Sequence, residues 1–163
     1  MSEVESFRRA LADAGVVYLD ASVLALHLTG EPSYLPLTRA ALGGMRDGDF
    51  SGLTSALSVF QLLVEPYRSG TEGAAEEVER LLMSLPGLEI VPLSATISGQ
   101  AAQVKAQVGG SLARAVQIAT ALGSDAEVFV TQRSALRRIA GLGVLQLDGF
   151  RRMVPETAGP PAS

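Results

Sequence analysis

The run Val16-Val17-Tyr18-Leu19-Asp20 decides how the rest of this 163-residue chain is read. Four consecutive β-favouring residues with no polar alternation describe a strand covered on both faces, as the strands of parallel sheets are. An acid closes it. Upstream, Val4, Phe7, Leu11 and Ala14 share one helical stripe and predict a short amphipathic helix. Downstream, residues 22–28 read as a helix broken by Gly30-Glu31-Pro32. Residues 33–45 read as a second helix, closed by Gly43, Gly44 and Gly48. A weak strand over 50–54 precedes a strongly apolar helix over 56–67, whose end Pro66 limits. Thr71 is the expected N-cap of a helix to residue 85, with Glu72 and Glu76 near its positive end and Pro86-Gly87 stopping it. A third strand follows at 88–91, then an amphipathic helix over 94–108, cut by Gly109-Gly110. Residues 112–122 are almost uniformly apolar, so that helix belongs at the centre. A fourth buried strand is expected at 128–131, a short helix at 134–140 and an edge strand at 144–147, ending at Asp148.

Strands alternating with helices require crossover connections, and these produce a parallel sheet with helices on both faces. The expected class is therefore α/β: a three-layer α/β/α sandwich around a central parallel sheet of about five strands. Residues 1–150 form the expected single domain. Residues 151–163, rich in proline and small residues after Pro155, form the expected flexible C-terminal tail.

Composition removes several classes of function. Hydrophobic residues make up 47% and charged residues 18%, which is a globular composition and not a disordered one. The net charge of −4 gives no global basic field to attract nucleic acid. With no cysteine, disulfides, thiolate nucleophiles and cysteine-based zinc sites are excluded. His27 is the one histidine, in a leucine-rich helical segment, and reads as a packed or surface residue and not as a catalytic base. The first fourteen residues carry too many charges for a signal-peptide core, and no apolar run reaches the ~20 residues that span a bilayer. The expectation is a soluble cytoplasmic protein with no membrane partner.

In open parallel sheets ligands bind beyond the carboxyl ends of the strands. That rule selects Asp20, the Thr131-Gln132-Arg133 segment and Asp148, with Gln61 and Arg114 as helix residues able to face the same crevice. No phosphate-loop, dinucleotide or nucleophile-elbow signature is present.

Four segments together resemble a known family. Val17-Tyr-Leu-Asp20-Ala-Ser-Val-Leu24 resembles the opening motif of PIN domains, in which an aspartate ends the first strand. The segment from Thr54 to Gly70 is similar to their second motif, especially as it occurs in VapC-like toxins. The segment Leu112-Ala-Arg-Ala-Val-Gln-Ile-Ala-Thr-Ala-Leu122 resembles the third, and Val128-Phe-Val-Thr-Gln-Arg133 the fourth. The resemblance implies a Mg²⁺- or Mn²⁺-dependent ribonuclease, with about four clustered carboxylates holding the ions that stabilise attacking and leaving oxygens. Carried over residue by residue, the first acid is Asp20. The second falls on Gln61, the third on Arg114 and the fourth on Arg133. Three of the four acids are replaced, two of them by the opposite charge. The expectation is no bound metal, with Asp20 the sole retained ligand if any binds.

Two readings of the arginines follow. In one, Arg114 and Arg133 pair with Asp20 and Glu65 in a structural salt-bridge cluster; in the other, they form an anion pocket. The leading functional expectation is a PIN-fold, VapC-like protein whose nuclease site has degenerated and which acts through binding. Its expected partners are a second copy of itself, an antitoxin-like protein and RNA. The alternative is a Mg²⁺/Mn²⁺ ribonuclease, the toxin of a toxin–antitoxin pair, with a rearranged site in which Glu65 and Asp148 substitute for the lost acids beside Asp20.

Overall fold

In the computed structural model, which describes residues 1–132 and 139–151, the first strand and its acid lie at the centre of the molecule. The chain forms α1 (Glu3–Leu11), β1 (Val16–Leu19), α2 (Ala21–Thr29), α3 (Leu35–Asp47), β2 (Ser51–Ser55), α4 (Ala56–Ser69) and α5 (Ala74–Met83). It continues through β3 (Leu88–Val91), α6 (Ala95–Val108), α7 (Leu112–Gly123), β4 (Val128–Thr131), β5 (Gly143–Gln146) and the short α8 (Leu147–Arg151). The five strands make one parallel sheet in the order β3-β2-β1-β4-β5. The α/β/α sandwich and its central parallel sheet of five strands are therefore present.

Two-residue alternation divides the sheet between two cores. Val17, Leu19 and Val130 face a large cluster with Phe7, Leu11, Val23, Leu37, Met45 and Leu82, which belongs to α1, α2, α3 and α5. Tyr18 and Phe129 face the other side with Ile118 and Ala121 of α7. Their rings stack at 5.0 Å with 9° between the planes. A further cluster, Ala101, Ala115, Val116 and Ala119, joins α6 to α7, and Leu57 of α4 packs against it.

Several boundaries differ from the sequence expectation, each for a packing reason. Gly43 and Gly44 do not stop α3. They lie inside it, and the helix ends at Gly48 in the left-handed region (φ 82°). Gly44 is there for space: a Cβ would lie 2.7 Å from Cε1 of Phe50. Thr71 does not cap α5; its carbonyl closes a turn with Ala74 N–H, and Gly73 at φ 75° is the N-cap. The last strand is shifted by one residue, because Gly143 pairs with Val128. Leu147 and Asp148 consequently begin α8 and do not end a strand. Arg133, the helix expected over 134–140 apart from its last two positions, and the tail beyond residue 151 lie outside the described residues. Among the described residues no helix is long and apolar enough to cross a membrane.

Gly52 pairs across to β3 and sits directly beneath Met45, where a Cβ would overlap the thioether sulfur. Gly52→Ala is expected to lower stability by about 1–3 kcal/mol, read from the urea midpoint, because the buried Met45 side chain would have to be displaced within a packed core. His27 of α2 sits half-buried, with Nδ1 3.1 Å from Thr38 Oγ1 of α3. Burial, and secondarily the nearby Arg39 charge, holds its imidazole pKa below the ordinary value. The unfolded chain then binds the proton more readily, so the stability owed to neutral His27 is complete above the unfolded pKa. It is lost as pH falls through the lower folded one. Urea midpoints taken from about pH 7.5 down to about pH 5 should drop more for the wild type than for His27→Gln.

Candidate functional site

The strand order sets where a site can form. From β1 the chain moves outward to β2 and β3, then crosses back to β4 on the other side of β1. The switch point therefore lies at the carboxyl ends of β1 and β4. Leu19 pairs with Val130, which brings Asp20 beside Thr131. Thr131 Oγ1 donates to Asp20 Oδ2 at 2.6 Å, and Ser22 N–H donates to Oδ1 as Asp20 caps α2. Ser22 Oγ in turn accepts the Gln132 N–H at 3.0 Å. Asp20 thus closes the seam between the two strands and starts a helix with the same carboxylate.

A cleft of about 200 Å³ opens above this seam, lined by Asp20, Ser22, Gln61, Ser111, Arg114 and Gln117 over a floor that includes Phe129 and Thr131. Arg114 reaches it from the first turn of α7, where Ser111 Oγ caps the Arg114 N–H at 3.1 Å. Gln61 comes from α4, whose first turn Ser55 caps. Asp20, Gln61 and Arg114, far apart in sequence, share one cavity.

Beneath the cleft lies a buried polar chain that the sequence reading did not single out. Ser55 N–H donates to the Tyr18 hydroxyl at 3.0 Å, and that hydroxyl donates to Gln117 Oε1. Gln117 Nε2 donates to Ser58 Oγ at 3.1 Å and to Gln61 Oε1 at 2.9 Å, while Ser58 Oγ lies 2.7 Å from Thr54 Oγ1. Burial pushes the Tyr18 phenol pKa well up, so the phenol stays protonated and keeps its donor role. Among the described residues no buried side-chain polar atom lacks a partner. The signal for this chain was available in the sequence: Gln117 is the one amide in a mostly apolar helix, three residues beyond Arg114.

The expected salt-bridge cluster does not form around Arg114. Its side chain is half-buried in the cleft wall and makes no ion pair among the described residues. Asp20 directs its oxygens at Thr131 and Ser22 instead. Glu65 is exposed and pairs with Arg68 on the same helix, away from the cleft lining. Asp148 accepts from the Tyr34 hydroxyl at 2.5 Å and also lies outside the lining. Among the described residues no group of three or more His, Asp or Glu side chains is placed to hold a metal ion.

Comparisons with known proteins agree with this architecture. A family model described as PIN domain matches residues 17–142. No curated protein matches the chain by sequence. Among solved structures, a chain of the VapBC2 complex from Rickettsia felis, bound to a DNA fragment from its promoter, superposes with a TM-score of 0.65 at 14% identity. The match covers 80% of this chain and 98% of that one. A chain of a toxin–antitoxin complex from Klebsiella pneumoniae superposes with a TM-score of 0.58 at 17% identity, covering 77% and 94%. At these identities the likeness is one of fold.

Replacing Gln117 by leucine removes the shared partner of Tyr18, Ser58 and Gln61. Gln117→Leu is expected to cost about 1–3 kcal/mol in chemical denaturation, because buried groups are left unpaired. Gln61→Ala, at the exposed end of the same chain, should stay within about 0.5 kcal/mol.

Proposed function

The chain belongs to the PIN domain family, and from that membership and the donor set of the cleft we propose that it acts by binding, without metal-dependent cleavage of RNA. The observation that carries the reading is the charge of the cleft: one carboxylate, Asp20, faces one guanidinium, Arg114, and no second acid lines the wall among the described residues. The PIN resemblance implies about four carboxylates around Mg²⁺ or Mn²⁺, and the residues present do not fit such an ion. Hard divalent cations take six or more oxygen ligands, several of them anionic. Both Asp20 oxygens are already hydrogen-bonded. At an effective dielectric near 20, a divalent ion ~5 Å from a guanidinium is repelled by several kcal/mol. Arginine has no neutral form with which to relieve this.

In this reading the positions corresponding to the family's second and third acids are Gln61 and Arg114, and the fourth is Arg133. The expected protein partners are an antitoxin-like protein and a second copy of the chain. Support comes from fold neighbours that were solved as toxin–antitoxin complexes. It also comes from α4, which leaves Phe60 and Tyr67 more than 60% exposed.

The test is the melting temperature with and without millimolar Mn²⁺, alongside an RNA cleavage assay. A ligand of the native state at about 100 times its Kd adds about 2.7 kcal/mol of stability, which a melting curve resolves easily. The expected result is an unchanged melting temperature and no cleavage. A rise on adding Mn²⁺, with cleavage that Asp20→Asn abolishes, would overturn the proposal.

A further inference from the structure

Two cations flank the glycine turn that leads into Ser111 of the cleft lining. Arg114 lies on one side, and its Cδ comes within 3.7 Å of where a Cβ on Gly110 would be. Lys105, the chain's one lysine, lies on the other; it leaves the last turn of α6 and donates to the Gly110 carbonyl at 2.6 Å. Neither has a carboxylate partner among the described residues. Gly109 and Gly110 both adopt positive φ (75° and 83°), and Ser111 then begins α7, whose amino end adds partial positive charge to the same rim. Against this, among the described residues of the cleft lining, stands one acid, Asp20, already engaged by Thr131 and Ser22. In a protein of net charge −4 the local balance is inverted.

The surroundings narrow the ligand. Arginine offers a planar fork of donors that matches phosphate oxygens two at a time. Gln61 uses its Oε1 on Gln117, while its amide N–H groups make no hydrogen bond among the described residues. They can serve a sugar hydroxyl. A volume of about 200 Å³ admits a phosphate and little more than one sugar ring.

We infer that this cleft is a metal-independent receptor for a phosphate monoester, with Arg114 gripping the phosphate and Lys105 adding charge at the rim. The inference rests on the binding reading above and gives that reading a ligand. A free nucleotide and the 5′-phosphate end of an RNA present the same group.

The test is calorimetric titration in EDTA at low salt. The probes are inorganic phosphate, a nucleoside 5′-monophosphate, the matching nucleoside, and a short oligoribonucleotide with and without its 5′-phosphate. Binding of the phosphorylated probes alone is expected. A preference for the mononucleotide or for the phosphorylated oligonucleotide identifies the source. Arg114→Gln should weaken binding by about tenfold or more, since a charge-assisted pair is removed. Lys105→Gln, at an exposed position that leaves the core untouched, should weaken it several-fold and flatten the salt dependence. Asp20→Asn should tighten it, because the one opposing charge is gone. The inference is overturned if no phosphorylated probe binds, if the bare nucleoside binds equally, or if a folded Arg114→Gln binds as the wild type does. Absence of binding with a melting temperature indifferent to Mn²⁺ sinks this inference and leaves the binding reading standing. Binding that requires Mn²⁺ and is lost in Asp20→Asn sinks both.

Discussion

Asp20 holds together the ends of two strands that the topology would otherwise let part. After β1 and β4 the chain leaves in opposite directions across the sheet, and a crevice opens wherever that happens. The Thr131 hydroxyl and the Ser22 amide both donate to the one carboxylate, and the Ser22 hydroxyl takes the Gln132 amide in turn. Strand seam and helix start are thereby fixed by a single side chain. A negative charge committed to holding backbone and hydroxyl donors in place is poorly available for anything else. The electrostatics of the crevice above it consequently fall to Arg114.

The layer beneath that crevice is polar in a place where an α/β core is usually apolar. Tyr18, Thr54, Ser55, Ser58 and Gln117 are all buried, and each is satisfied by another. Such a chain is stable only when complete, since each unpaired member in a low-dielectric interior costs more than an apolar replacement of the whole set. It links β1, β2, α4 and α7, the elements that supply Gln61, Arg114 and Asp20. The cleft wall is thus positioned by a fixed hydrogen-bond chain and not by loops.

Much of the fold was legible from local pattern. The runs at 16–19, 88–91 and 128–131 match β1, β3 and β4 residue for residue, because short, mainly apolar runs rich in valine, isoleucine and aromatic residues have few other uses in an α/β chain. Reading failed where packing overrode local preference. Gly44 looks like a helix stop, yet it is the residue that lets α3 pass Phe50. Gly143 falls just outside the strand expected over 144–147, yet it pairs in the sheet. In the site, the family resemblance named Asp20, Gln61 and Arg114, three residues that line one cleft. What it did not carry was pairing. Whether Arg114 meets Asp20 depends on two rotamers and a hydroxyl 111 residues away from the carboxylate, and no spacing rule encodes that.

The solitary lysine has a practical side. Amine-reactive acylating reagents have one lysine side chain to modify in this protein, and that target lies exposed at Gly110, one residue before Ser111 of the cleft lining. A single fluorophore or spin label attached there would report directly on whatever approaches the opening, with no engineered cysteine required.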